Sequence, residues 1–127
     1  MQNAKTYGLS HIAIAVRDLE RTLAFYQKVF EVEVMYHKEN FLQVTTPGSY
    51  DIIVFEKKKA DYGHTGGIAH FGFRLRNPED IDELAARISE AGGIITDKGE
   101  FVPGEPYIFF KDPDGYDVEI AYELVPD

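Results

Sequence analysis

Residues 11–18, His-Ile-Ala-Ile-Ala-Val-Arg-Asp, have a counterpart in residues 70–77, His-Phe-Gly-Phe-Arg-Leu-Arg-Asn. In each stretch a histidine leads alternating side chains that predict a strand, and the closing Asp or Asn suits a helix N-cap. The two histidines lie 59 positions apart. A second pair of stretches, TPGSYDII at 46–53 and DPDGYDVE at 112–119, is offset by 66 positions. The chain therefore contains one unit twice, and equivalent residues of the two units can converge on one site.

The repeat predicts two β-α-β-β-β modules, one over about residues 8–59 and one over about residues 67–125. Apolar positions at helical spacing predict one helix in each module: Leu19, Leu23, Tyr26 and Phe30 in the first, and Ile81, Leu84, Ala85 and Ile88 in the second. Neither module could bury its sheet alone, so we expect residues 1–127 to form a single α+β domain. The expected architecture has pseudo-twofold symmetry and curved mixed sheets around a central cavity.

The composition fits one globular domain and excludes several classes of function. A net charge of −9 argues against nucleic-acid binding, because phosphate contacts require clustered Lys and Arg. Cysteine is absent, which excludes disulfides and thiolate ligands. No apolar stretch approaches the roughly 20 residues needed to cross a membrane, and no signal-peptide core is present. We therefore expect a cytoplasmic protein with no membrane or nucleic-acid partner.

Two histidines and one glutamate stand out as candidate metal ligands. His11, His70 and Glu119 each lie on the less hydrophobic face of a predicted strand. Taken singly, either histidine is more typical of a structural residue than of a ligand, but their equivalent places in the repeat favour a shared site. Two imidazoles and a carboxylate suit divalent Fe, Mn, Co, Ni or Zn and leave positions open for substrate or water.

Two segments carry a resemblance to a known family: HIAIAVRDL at residues 11–19, followed by Phe25 and Tyr26, and DPDGYDVE at residues 112–119. They resemble the vicinal oxygen chelate superfamily, also called the glyoxalase/bleomycin-resistance/dioxygenase fold, and the resemblance covers essentially the whole chain. It implies a homodimer whose metal ligands lie on the first strand of each module and on the final strand. It also implies that the metal chelates two adjacent oxygens of a small substrate and stabilises an enolate, alkoxide or peroxo intermediate.

The branches of the family differ in their implied ligands and pockets. Glyoxalase I and methylmalonyl-CoA epimerase imply a fourth ligand, which the 66-residue offset places at Ile53; Glu56 would serve only if the strand slipped by one residue. Fosfomycin-resistance enzymes imply a basic, hydroxyl-rich phosphonate pocket, whereas residues 99–107 here carry two acids and no serine, and Ala13 replaces a threonine. Metal-dependent oxygenation such as ring cleavage is thus favoured over a glyoxalase-type lyase or isomerase. The rival from another class is a metal-free, drug-sequestering protein of the bleomycin-resistance type.

The remaining candidate site residues concern the substrate. Strand alternation and the repeat predict a cavity wall favouring an apolar or aromatic substrate, formed by Phe41, Ile53, Phe55, Tyr107 and Phe109. Arg74 shares a strand face with His70; it could pair with Glu119 or Asp117, or bind a substrate carboxylate. Tyr107 could donate a proton or simply pack in the wall.

Overall fold

A computed structural model describes residues 4–7, 9–64 and 66–123. In chain order the elements are β1 Ile12–Val16, α1 Leu19–Phe30, β2 Glu33–Lys38, β3 Phe41–Thr45, β4 Ile53–Lys57, β5 Phe71–Arg74, a 3₁₀ turn Pro78–Asp80, α2 Ile81–Glu90, β6 Ile94–Val102, β7 Glu105–Lys111 and β8 Asp117–Ala121. Within these ranges, none of the helices has the length and apolar character that a membrane span requires. The outer limits predicted for the modules, at residues 8 and 125, lie outside the described residues.

The strands form two four-stranded mixed sheets, one in each module. The first sheet has the order β1-β4-β3-β2 and the second has the order β5-β8-β7-β6. In each sheet the first strand of the module pairs in parallel with the last, and the other pairs are antiparallel. The α+β fold with two β-α-β-β-β modules, predicted from the repeat, is therefore confirmed.

The two helices begin differently, although the sequence predicts similar starts. Asp18 caps α1 by accepting a hydrogen bond from the Arg21 amide at 3.1 Å, and this bond to the backbone lowers the pKa of the Asp18 carboxyl. Asn77 makes no side-chain capping bond; instead Pro78 opens a 3₁₀ turn that leads into α2. The expectation that Asn77 acts like Asp18 was wrong, because the tighter 3₁₀ turn bonds the Asp80 amide to the Asn77 backbone carbonyl.

Strand register gives each sheet one face against a helix and one open face. Cα partners in a sheet share a face, so the pairing of Ile14 with Phe55 marks the helix-packed face of the first sheet. The pairing of Phe73 with Ile120 marks the same face of the second sheet. Buried core residues on these two faces are Ile14, Val16, Leu42, Val44, Ile53, Phe55, Ile108, Phe110, Val118 and Ile120. The opposite faces carry polar, small and aromatic residues, and they are where a site can form.

The modules meet through an aromatic cluster around α1. Phe30 stacks on Phe73 with ring centroids 3.7 Å apart, and Tyr26 contacts both Phe55 of the first sheet and Phe73 of the second. Because Tyr26 is fully buried, α1 serves as a shared core element of both modules. Aromatic pairs of this kind add roughly 0.5–1.5 kcal/mol each beyond the area that they bury.

A buried polar clasp, formed by the turn Asp112–Tyr116 against the first module, reinforces this contact. The Tyr26 hydroxyl donates to Asp112 Oδ2 at 2.8 Å, and three backbone amides of the turn donate to Asp112 Oδ1. Asp114, whose side chain is 0% exposed, accepts from Arg21 Nη2 at 2.8 Å. Burial raises the pKa of Asp112, while the hydrogen bonds that it accepts oppose the shift.

Candidate metal centre

The open face of the second sheet holds two of the predicted ligands. Register places Gly72, Glu119 and Phe109 in one row across three neighbouring strands. His70 directly precedes β5, and its ring meets Phe109 edge to face, with centroids 5.2 Å apart and an interplanar angle of 89°. His70 and Glu119 both line a recess of about 350 Å³ together with Arg74 and Glu123. An imidazole and a carboxylate thus share one recess on a face that no helix covers.

Gly72 provides the space beside the carboxylate. A Cβ built at this position would meet Glu119 Cβ and Oε1 at 3.3 Å and the Glu119 backbone oxygen at 3.2 Å. Such contacts are tight, and the Glu119 side chain would have to shift by a few tenths of an ångström to relieve them. Gly72 was not predicted as a site residue, although its place between His70 and Arg74 on one strand face was a signal in the sequence.

His11 lies in a different pocket of the structure from His70 and Glu119. It precedes β1 of the first sheet and lines a groove of about 810 Å³ between the modules, where its Nδ1 is 2.7 Å from Ser10 Oγ. Across residues 4–7, 9–64 and 66–123, no group of three His, Asp or Glu side chains is arranged to hold a metal ion. One copy therefore brings together two of the three predicted ligands, and His11 is not the third within the same chain.

Arg74 is exposed and lacks the partners expected for it. Across the described residues it makes no ion pair and no side-chain hydrogen bond. Asp117, one expected partner, is instead 2.8 Å from Lys111 Nζ. The pairing of Arg74 with Glu119 or Asp117, one of the two roles considered for it, is not formed; strand register puts Arg74 one row away from Glu119 and beside Ala121.

The hydroxyl of Tyr107 is directed away from the predicted ligands. It donates to Asp97 Oδ2 at 2.9 Å, and the ring stacks on Phe101 with centroids 4.1 Å apart. The hydrogen bond to Asp97 raises the pKa of the Tyr107 hydroxyl, so the proton is held more tightly. Tyr107 thus presents an aromatic face rather than a free proton. Sequence reasoning missed Asp97, whose strand position alone gave no sign of this contact.

The predicted cavity wall divides between the two faces of the sheets. Tyr107 and Phe109 lie on the open face of the second sheet, and Phe41 lies on that of the first. Phe55 is 0% exposed in the core beneath α1, so its assignment to a cavity wall was wrong, whereas Ile53, 3% exposed, lines the groove between the modules that also contains His11. The error is a slip of one residue in β4, which moves every side chain to the opposite face.

The one-residue correction in β4 also changes which residue of the first module is equivalent to Glu119. Ala13 and Gly72 occupy equivalent places after the two histidines, and their parallel partners are Val54 and Glu119. The equivalent position is thus Val54, not Ile53, and it is also apolar. Glu56 lies two residues further along the open face, where its side chain is 3.6 Å from Lys58 Nζ.

Replacing Gly72 by alanine is expected to weaken metal binding at least about tenfold, because changing a residue that positions a metal ligand typically lowers the metal affinity by that much. The added Cβ meets Glu119 at 3.3 Å and moves its carboxylate, while the exposed strand tolerates the methyl group. Titration with Mn(II) followed by calorimetry measures the change. Gly99→Ala is the matched control, because its Cβ would meet the Tyr107 hydroxyl at 3.2 Å on the same sheet, in the neighbouring row that contains Tyr107 and Ala121 and not Glu119. Equal losses in both variants would contradict the placement of Glu119.

A comparison with protein families places this geometry among known proteins. The family model described as the Glyoxalase/Bleomycin resistance protein/Dioxygenase superfamily matches residues 8–120. The match includes both modules and each of the three predicted ligands.

Three curated relatives illustrate the range of activities. The chain is 30% identical over 123 residues to the fosfomycin resistance protein FosX of Listeria monocytogenes, covering 89% of this chain and 87% of the relative. It is 29% identical over 126 residues to a probable lactoylglutathione lyase of Vibrio cholerae, covering 90% and 89% of the two chains. It is 24% identical over 116 residues to a catechol-2,3-dioxygenase of Bacillus subtilis, covering 88% of this chain but 40% of the relative.

Solved structures give the same result for the fold. A crystal structure of FosX from Listeria monocytogenes matches with a TM-score of 0.80 at 27% identity, covering 95% of this chain and 97% of that one. A second FosX crystal structure, complexed with Mn(II) and a sulfate ion, matches with a TM-score of 0.79 at 27% identity, covering 95% and 94% of the chains.

Proposed function

The chain belongs to the glyoxalase/bleomycin resistance protein/dioxygenase superfamily, and we propose that it is a divalent-metal-dependent enzyme acting on a small oxygenated organic molecule. One observation carries the proposal: His70 and Glu119 share a recess on an open sheet face, where neither contributes to the core. A ligand set of imidazole and carboxylate suits Mn, Fe, Co, Ni or Zn. The Mn(II) in the structure of the FosX relative is consistent with such a set.

We propose that His11 of a second copy completes the site. Within the described residues of one copy the three side chains do not gather, and both His11 and the recess are accessible from outside. An arrangement that brings the first sheet of one copy against the second sheet of the other supplies two imidazoles and one carboxylate. It also covers the open faces, which excludes water from the bound substrate. The apolar side chains left exposed on a single copy, including Tyr7, Leu9, Tyr50 and Phe101, are consistent with such a contact.

The chemistry of the site follows from its residues. A bound divalent cation would act as a Lewis acid and orient two adjacent substrate oxygens. His70 and Glu119 would hold it, and the edge-to-face contact with Phe109 fixes the plane of the His70 ring. Gly72 leaves room for the carboxylate, while Phe109 and Tyr107 offer an aromatic surface to the substrate.

Oxygenation such as ring cleavage is favoured over glyoxalase-type isomerisation. The position equivalent to Glu119 is Val54, which cannot bind a metal or accept a proton. The isomerase remains the second candidate because Glu56 lies on the same open face, two residues further along.

Reconstitution with Fe(II), Mn(II), Ni(II) and Zn(II) tests the proposal. We expect near-stoichiometric metal in the native protein, oxygen uptake with catechols when Fe(II) or Mn(II) is bound, and loss of metal in His11→Ala with the fold intact. Isomerisation of a hemithioacetal by the Ni(II) or Zn(II) form, lost in Glu56→Gln, would instead establish the glyoxalase-type reaction. A protein that takes up no metal under any of these conditions would overturn the proposal in favour of a drug-sequestering role.

A further inference from the structure

We infer that Arg74 binds a carboxylate of the substrate, so that the substrate is a monoanion with a flat apolar body. The inference rests on the proposed function and adds to it the chemical class of the substrate. Three observations carry it: an arginine without a protein partner, its position relative to Glu119, and the shape of the surface beside it.

The first observation is that Arg74 lacks a partner in an acidic protein. The chain has 22 Asp and Glu residues against 13 Lys and Arg residues, so acidic partners are abundant. Lys111, which also lies on the open face of the second sheet, forms an ion pair with Asp117 at 2.8 Å. Glu119 and Glu123 line the same recess as Arg74, yet neither forms an ion pair with it. A guanidinium left unpaired beside two carboxylates is available to an anionic group of a molecule bound in the recess.

The second observation is the position of Arg74 relative to the predicted ligands. Gly72, whose parallel partner is Glu119, precedes Arg74 by two residues on the same strand face. Two residues along a strand span roughly 6.7 Å. A molecule whose vicinal oxygens lie near Glu119 can therefore extend along the strand and place an acidic group at the guanidinium.

The third observation is the surface beside Arg74. Its partner in β8 is Ala121, which is 5% exposed, and the partner of Ala121 in β7 is Tyr107. Because only a methyl group lies between the arginine and the tyrosine, the register predicts a shallow slot across three strands, roughly 10 Å wide at the backbone. Phe109 and Tyr107 meet edge to face along its side, with centroids 5.8 Å apart. The slot suits a flat apolar body whose charged end meets Arg74.

The charges of this face favour a carboxylate over a dianionic phosphonate. A planar guanidinium matches a carboxylate with two parallel hydrogen bonds. A dianion needs further cations to offset its second charge, and among the described residues of this face Arg74 is the one cation without a partner. Asp97, Glu119 and Glu123 add negative potential that penalises a second charge on the ligand.

The test compares matched ligands by calorimetry on the Mn(II)-loaded protein. The probes are 3,4-dihydroxyphenylacetate, 4-ethylcatechol and 3,4-dihydroxybenzylphosphonate. We expect the carboxylate to bind roughly ten- to hundredfold more tightly than 4-ethylcatechol, as a charge-assisted bidentate bond provides. Arg74→Gln should abolish this preference while leaving the affinity for 4-ethylcatechol, the Mn(II) content and the oligomeric state unchanged. The control is Arg76→Gln, because Arg76 donates to the Pro47 carbonyl at 3.2 Å and lines the neighbouring groove; it should keep the preference.

Each alternative outcome has a distinct meaning. If native protein and Arg74→Gln bind the carboxylate and 4-ethylcatechol equally, the inference is overturned and the proposed function stands. Tighter binding of the phosphonate than of the carboxylate would overturn the choice of anion. If Arg74→Gln changes the oligomeric state, Arg74 is an interface residue and the inference fails. If none of the three probes binds the Mn(II)-loaded protein, the proposed function itself fails, and the inference with it.

Discussion

Replacing Glu119 by alanine is expected to lower the affinity for divalent metal by more than about a hundredfold, because even residues that only support a ligand cost 10- to 100-fold when removed. Glu119 supplies the carboxylate of the proposed site from the open face of β8. The fold should survive, because across the described residues Glu119 makes no side-chain hydrogen bond or ion pair and lies outside the core cluster.

Elemental analysis and Mn(II) titration of Glu119→Ala and native protein measure this effect. Glu123→Ala is the matched control, since it removes a carboxylate from the same recess that is not assigned as a ligand. Circular dichroism establishes that both variants are folded. If Glu119→Ala retains native metal content while Glu123→Ala loses it, the ligand assignment on β8 is wrong.

Replacing Asp112 by alanine is expected to destabilise the protein by about 4 kcal/mol, because buried donors that lose a charged acceptor each cost on the order of 1–3 kcal/mol. Asp112 is 5% exposed and accepts from the Tyr26 hydroxyl and from three amides of its own turn. The substitution leaves the hydroxyl without an acceptor inside a fully buried environment and loosens the turn that joins the modules.

Urea unfolding of Asp112→Ala gives the free energy difference. Tyr26→Phe serves as the comparison, because it removes one donor and leaves the carboxylate with its three amide partners. Its expected cost is about 1 kcal/mol, the usual net value of one hydrogen bond. Similar losses in the two variants would show that the turn does not depend on Asp112.

The repeat was sufficient to predict the fold, because it reflects short-range chemistry. Asp18 as a cap and the apolar stripe ending in Phe30 specify α1 locally, and the alternation after His11 and His70 specifies β1 and β5. A helix and its flanking strands need no long-range information to be recognised. The pairing of like modules then follows from the need to cover two half-buried sheets.

The site was harder to predict because it depends on register and on assembly. An offset taken from one repeat of turn residues made Ile53 the first-module equivalent of Glu119, whereas the strand pairing makes Val54 the equivalent. A slip of a single residue exchanges the two faces of a strand, and no local pattern in an apolar run such as β4 fixes it. The partner of Arg74 was hard to predict for a related reason. The same register decides which residue of β8 lies beside Arg74, and that residue is Ala121.

Mixed dimers test the central claim, that the metal site uses His11 from one copy and His70 with Glu119 from another. His11→Ala and Glu119→Ala chains with different affinity tags are co-expressed, and the mixed species is purified through both tags, stripped and titrated with Mn(II). Each homodimer should be essentially metal-free, whereas the mixed dimer should bind one Mn(II), because the Glu119→Ala chain donates His11 to the intact pair on the other. A mixed dimer as empty as its parents, or a native monomer that binds Mn(II) stoichiometrically, would contradict the account.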